Sequence, residues 1–150
     1  MSVWVDILVC LRDIIQSSDE FKDLMVYFDE SEMNSNSVLP SISFKVGKKE
    51  VLNSKVDCTE YSRKLTIRLH TKTLDKRELQ EELYEYEEQL VRVINNAKMN
   101  GDIPPYFEIF ETGSSSIGAL MFNSRKEANQ FNMVFFSNIL KINFSIRYTI

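Results

Sequence analysis

The last positions of the chain alternate strictly between apolar and polar side chains, and this pattern constrains the fold most. The apolar positions are Leu140, Ile142, Phe144, Ile146, Tyr148 and Ile150, and polar residues stand between them. A period of two places the apolar side chains on one face of a strand, so we expect a long, half-buried C-terminal strand. Shorter alternations at residues 42–46 and 65–69 predict two further strands.

Residues 75–98 follow a helical period. Leu79, Leu83, Tyr86, Leu90, Val93, Ile94 and Ala97 fall within one arc at about 100° per residue, and Glu81, Glu85, Glu88 and Arg92 lie opposite. Gly101 follows, and glycine suits the left-handed residue after a helix. Residues 2–16 predict an amphipathic helix. Residues 17–28 predict a short helix with Phe21, Leu24, Met25 and Phe28 on its buried side.

The predicted strands cluster along the chain instead of alternating one by one with helices. We therefore expect a single α+β domain over residues 1–150. Its mainly antiparallel or mixed sheet should pack against a long central helix, with an N-terminal helix and the long C-terminal strand. A chain of 150 residues is long enough to bury one core without disulfides or metals.

Charge and composition exclude several classes of protein. The net charge is −4, whereas a protein that neutralises many phosphates is normally basic. We find no apolar stretch near 18 residues and no signal-peptide pattern, so we expect an intracellular protein without a membrane partner. Cys10 and Cys58 lie far apart in sequence and predict free thiols.

Residues with reactive side chains do not form a recognisable catalytic motif. His70 is the one histidine and occupies a polar strand position, so we expect it to be exposed and structural. Cys10 and Cys58 lack the spacing of metal ligands. Residues 113–118 have the outer spacing of a phosphate loop but lack its lysine, and they predict a serine-rich turn. We expect no enzymatic activity, cofactor or metal.

Apolar side chains exceed the needs of one core near residues 106–110. Both phases of this predicted strand are apolar, so it is either buried on two sides or lies at a subunit contact. The polar segments 29–37 and 48–62 are long enough to reach a neighbouring copy. The candidate subunit-contact residues are Asn53, Lys55, Asp57, Tyr106, Phe107 and Phe110.

The order of these elements resembles that of the tail terminator, or tail completion, proteins of tailed bacteriophages. The matching segments are residues 3–15, 42–46 with 65–69, 79–97, and 140–150, which together cover nearly the full chain. The match is one of pattern, so no individual functional residue is carried over from the family.

The resemblance implies a structural virion protein, active at the tail–head junction after assembly in the host cytoplasm. It implies a homo-oligomeric, hexameric ring that caps the tail tube, ends tail polymerisation and forms the head-joining surface. The implied partners are the tail tube protein, a neck or head-completion protein and, where one is present, the tail sheath.

DNA passes through the lumen of such a ring without specific binding, and carboxylates on the lumen wall repel its phosphates. The candidate channel-facing residues are Glu81, Glu85, Glu88, Asp29, Glu30 and Glu32. A solvated acidic surface without a special role is the alternative reading of these side chains. Two other functions remain open: a head–tail connector or head-closure neck protein, and a small cytosolic protein-binding adaptor.

Overall fold

A five-stranded sheet forms the centre of the computed structural model, which describes residues 2–33, 40–73, 76–121 and 135–150. In chain order the elements are α1 (Val3–Gln16), β1 (Val26–Tyr27), a short 3-10 helix (Glu30–Glu32), β2 (Ser41–Ser54), β3 (Thr59–Thr73), α2 (Lys76–Asn100), β4 (Phe107–Met121) and β5 (Phe135–Thr149). The strand order is β1-β2-β3-β5-β4. β1 runs parallel to β2 and the other pairs are antiparallel, so the sheet is mixed and the class is α+β.

The core lies on one face of this sheet. Leu65, Ile67 and Leu69 of β3 stand opposite Phe144, Ile142 and Leu140 of β5. All six side chains are buried, as the alternation predicts. Burying a side chain of this size contributes about 1.5–3 kcal/mol, so these paired rows hold the two central strands together.

Both helices cover the apolar face of the sheet. α1 begins at Ser2, whose hydroxyl accepts a hydrogen bond from the Val5 amide at 3.4 Å. Ile7, Leu11 and Ile15 of α1 lie in the same buried cluster as Leu90 of α2.

The expectation that one long central helix covers the sheet is not supported. The face between β2 and β4 is about 14 Å wide, and one helix covers only about 10 Å with its side chains. Two helices side by side therefore share the task.

The predicted short helix over residues 17–28 is wrong. The hydroxyls of Ser17 and Ser18 donate to the carbonyls of Ile14 and Ile15 at 2.8 and 2.7 Å, and α1 ends there. Turns follow until β1 pairs with β2. Phe21 is buried as expected and Leu24 and Phe28 are half-buried, but Met25 is exposed.

The predicted turn at residues 113–118 is also wrong, because β4 continues through it. The register shifts between Glu111 and Gly113, and pairing with β5 then resumes at Gly113 opposite Asn143. One extra residue is thus absorbed as a bulge. Serines 114–116 stay paired with the long alternating strand β5, and their polarity is tolerated because β4 is an edge strand.

Candidate functional site

The β2–β3 hairpin ends in an extension that we call the arm (residues 48–58). Its strands stay paired as far as Ser54 opposite Thr59, and the Lys55 amide donates to the Cys58 carbonyl at 2.8 Å to close the turn. The arm contains three predicted contact residues, Asn53, Lys55 and Asp57, all of them exposed.

Apolar side chains at the tip of the arm are exposed to solvent. Val51 is 62% exposed, Leu52 is 44% exposed and Val56 is fully exposed. Val51 is paired with Tyr61 in the last packed layer, and Leu52 and Val56 follow it along the hairpin. This layer is aromatic: the Tyr148 ring lies 5.5 Å from Trp4 and 5.5 Å from Tyr61, measured between ring centroids. Three exposed apolar side chains within six residues of one hairpin make the arm a candidate interaction surface.

The base of the arm is bonded to the last residues of β5. β3 pairs with β5 up to Glu60 opposite Thr149, and Thr59 and Ile150 exchange backbone hydrogen bonds of 3.1 and 3.2 Å. The arm therefore continues the β2–β3 pair beyond the end of β5.

A groove of about 780 Å³ runs between α1 and α2; we call it the α1–α2 groove. Its lining includes Val9, Cys10, Val93 and Ala97. Its described lining also carries four carboxylates and one guanidinium, namely Asp6, Asp13, Glu20, Asp102 and Arg92. All five of these charged side chains are exposed. The groove thus combines small apolar side chains with a mainly acidic rim.

The acidic rim affects the neighbouring titratable groups. Burial, and then the charges of Asp13 and Asp102, raise the pKa of the Cys10 thiol. Burial, Asp6 and Cys10 likewise raise the pKa of Tyr106. A thiol with a raised pKa stays protonated near neutral pH and is a poor nucleophile.

The three aromatic residues predicted at a subunit contact lie in different environments. Tyr106 is half-buried and is close enough to Asp6 and Cys10 for their charges to act on it. Phe107 is 3% exposed, so it belongs to the core and is removed from the candidate contacts. Phe110 is 44% exposed on the other face of the sheet, with the Lys98 ammonium 5.1 Å from its ring centroid.

The candidate channel-facing carboxylates occupy two separate elements. Glu81, Glu85 and Glu88 are exposed on α2, as the helical period predicts. Asp29 and Glu32 are exposed around the 3-10 helix, and the side chain of Glu30 lies outside the described residues.

The pKa values of one carboxylate and one tyrosine in these elements are shifted. Hydrogen bonds from the backbone and side chain of Ser31 lower the pKa of Asp29. On α2, burial and then the charge of Glu82 raise the pKa of Tyr86 to about 12.

The face of the sheet opposite the helices is basic. Lys45, Lys64, Lys141 and Arg147 alternate with core residues along their strands and so point away from the helices. Glu108, opposite Arg147, shares this face, which therefore carries more basic than acidic side chains among those named. The molecule therefore has an acidic helix side and a basic sheet side, a separation that the net charge of −4 conceals.

His70 is buried, so the prediction that it is exposed is wrong. Its Nε2 lies 2.9 Å from the Ser43 hydroxyl, a distance that a catalytic serine and its base also show. Ser43, however, is 0% exposed, so no substrate reaches its oxygen. In the part of the chain that the structure describes, no three His, Cys, Asp or Glu side chains are grouped to hold a metal ion.

No protein-family model matches the chain, and no curated protein matches it. Among the described residues, no helix is both long and apolar enough to cross a membrane. The arm and the α1–α2 groove are therefore the surfaces from which a function has to be inferred.

The sequence predicted the arm but not the groove. The strand pattern and the polar segment 48–62 mark the arm directly. The groove needs the relative placement of two helices far apart in sequence. Its only local signal is the pair Asp6 and Asp13 beside Val9 and Cys10 on α1.

Proposed function

We propose that this protein is a structural subunit of a tailed-bacteriophage virion that assembles with its own copies into a ring on the tail tube. The ring ends tail polymerisation and forms the surface that joins the head. The exposed apolar tip of the arm, formed by Val51, Leu52 and Val56, carries the proposal. Burying apolar area gains roughly 25 cal/mol per Å², so these side chains favour association over solitary copies in water.

The resemblance to tail terminator proteins supports the place of the ring in the virion. The order of α1, the β2–β3 hairpin with its arm, α2 and the long strand β5 follows the family pattern. The proposed partners are accordingly the tail tube protein, a neck or head-completion protein and, in sheathed tails, the sheath. The proposed location is the tail–head junction.

The separation of charge supports an orientation within the ring. If the helix side faces the lumen, Glu81, Glu85 and Glu88 repel DNA phosphates and let the genome pass without being bound. The basic side chains of the sheet then face outward. A structure of the assembled ring tests this orientation, and a lumen lined with lysine and arginine contradicts it.

Light scattering and electron microscopy with isolated tail tubes test the proposed function. We expect the wild-type protein to form rings or to cap the tubes. Val56→Asp should remain a folded monomer, because a charged tip is not buried at a contact. Met99→Asp is the matched control, since Met99 is also apolar and exposed but lies at the end of α2, and it should still assemble.

The proposal is contradicted if the wild-type protein stays monomeric and does not bind tail tubes. Binding to tailless heads without binding to tubes would instead indicate a head-closure neck protein.

A further inference from the structure

The α1–α2 groove and the arm have complementary chemistry within one chain. The groove offers small apolar side chains and a rim with Asp6 and Asp102. The arm offers exposed apolar side chains and three exposed lysines, Lys48, Lys49 and Lys55, against two exposed carboxylates, Glu50 and Asp57, so its net charge is positive and that of the groove rim is negative. Apolar contact combined with opposite charges around it is the usual anatomy of a specific protein interface.

The arm cannot fill the groove of its own chain. Its strands are paired with each other to Ser54 and Thr59, and β3 is fixed to β5 as far as Glu60. The groove lies between the two helices that cover one face of the sheet, whereas the arm continues the sheet beyond its end. The occupant of the groove must therefore come from another molecule.

We propose that the arm of one copy docks into the α1–α2 groove of a second copy of this chain. This inference rests on the proposed function and names the contact through which the ring forms. Each copy then has one arm to give and one groove to fill, so the contact is heterologous. Heterologous contacts build a closed ring when the rotation between copies closes.

The size and charge of the groove fit this occupant. A groove of about 780 Å³ is in the range of clefts that enclose a small ligand, roughly 300–1,000 Å³, and so suits a hairpin tip better than a whole domain. Asp13 is already paired with Arg12 at 3.3 Å, which leaves Asp6, Glu20 and Asp102 as the rim carboxylates to meet the arm's lysines.

The two native cysteines provide a direct test, because Cys10 lines the groove and Cys58 is exposed on the arm. Assembled protein is treated with a short bismaleimide cross-linker and analysed on a denaturing gel. We expect a ladder of dimers and larger species, since each copy cross-links to two neighbours. Cys10→Ser and Cys58→Ser should each abolish the ladder.

Because Cys10 is half-buried, its thiol reacts slowly with the maleimide, and a second, exposed groove cysteine is therefore tested. Asn96 also lines the groove and is exposed. Asn96→Cys in the Cys10→Ser background should restore the ladder, and it should fail again when Cys58→Ser is added.

A charge exchange tests the same contact without cross-linking. Asp102→Lys should weaken assembly about tenfold, the effect of one lost interfacial charge pair. Adding Lys55→Asp should recover most of the loss. Glu88→Lys makes the same charge change on α2 outside the described lining of the groove and should alter assembly less than threefold.

Failure of this inference differs from failure of the proposed function. If rings form but no ladder appears with either groove cysteine, the docking contact is wrong and the ring remains. A single dimer band that survives Cys10→Ser but not Cys58→Ser indicates an arm-to-arm contact and also overturns the inference. If scattering shows only monomers with and without tubes, the proposed function itself fails.

Discussion

Ser43 and His70 form a hydrogen-bonded pair across two strands, with 2.9 Å between the serine hydroxyl and the histidine Nε2. Ser43 stands between Ile42 and Phe44 of the core, so its side chain points to the face opposite the helices. The strand register pairs His70 with Ser41, and the contact with Ser43 is therefore diagonal. Both side chains are buried, which makes this pair a structural link in the sheet.

Ser43→Ala should lower the free energy of unfolding by about 1–3 kcal/mol, because it leaves a buried ring nitrogen without this partner. Urea unfolding followed by circular dichroism measures the loss. Ser115→Ala removes a hydroxyl from an exposed position and should stay within about 0.5 kcal/mol of wild type. Equal effects of the two substitutions would mean that the pair contributes nothing.

A second prediction compares the stability of two variants on opposite faces of α2. Leu90→Ala should cost about 2–5 kcal/mol, since Leu90 is enclosed in the core and the truncation leaves a cavity. Glu85→Ala, on the exposed side, should change stability by no more than about 0.5 kcal/mol. Chemical denaturation of both variants separates the two faces. A loss with Glu85→Ala as large as that with Leu90→Ala would contradict the helix orientation.

A third prediction concerns the stability of a variant at Gly47, which lies at the bulge where β2 changes register after Val46. A Cβ atom at this position would lie 3.1 Å from both the Cβ and the carbonyl oxygen of Lys64 on β3. Such overpacking costs about 1–3 kcal/mol, so Gly47→Ala should lower the unfolding midpoint. Lys48→Ala changes the next, exposed residue and should have little effect. If both variants have the same unfolding midpoint, Lys64 on β3 moves away from the added methyl group without a loss of stability.

Regular alternation let the sequence predict the central strands and the buried side of α2. The sequence failed where a neighbouring strand decides the outcome. Residues 113–118 have turn composition, but pairing with β5 keeps them extended. His70 has the polar phase that the sequence indicates, yet it is buried with Ser43. Pairing and burial of this kind depend on contacts between segments distant in sequence, which local composition does not encode.

The candidate surfaces also differ in whether the sequence predicts them. The arm follows from the strand pattern on either side of it, and Asn53, Lys55 and Asp57 are exposed on it, while their role at a contact stays a prediction. Two apolar strand phases around Phe107 predict a contact there, whereas alternation in the structure turns Phe107 inward. The groove remained hidden because it exists only once α1 and α2 are side by side.

Tyr86 predicts how stability depends on alkaline pH. Burial, and then the charge of Glu82, raise its pKa from 10.0 to about 12 in the folded protein. Below pH 10 the phenol is protonated in both states, so its contribution is fully present. Between pH 10 and pH 12 the unfolded chain loses the proton while the folded chain keeps it, and stability falls as the pH rises.

Unfolding midpoints from pH 9 to pH 11.5 test this dependence. Tyr86→Phe removes the ionisable phenol and should show a shallower decline than the wild-type protein. Tyr84→Phe alters an exposed tyrosine of the same helix and should keep the wild-type slope. Glu82→Gln removes the charge beside the ring and should lower the pKa of Tyr86. The tyrosinate absorbance band measures this pKa when the spectrum of Tyr86→Phe is subtracted as the reference. An unchanged slope in Tyr86→Phe would show that the folded protein does not hold this proton more tightly than the unfolded chain.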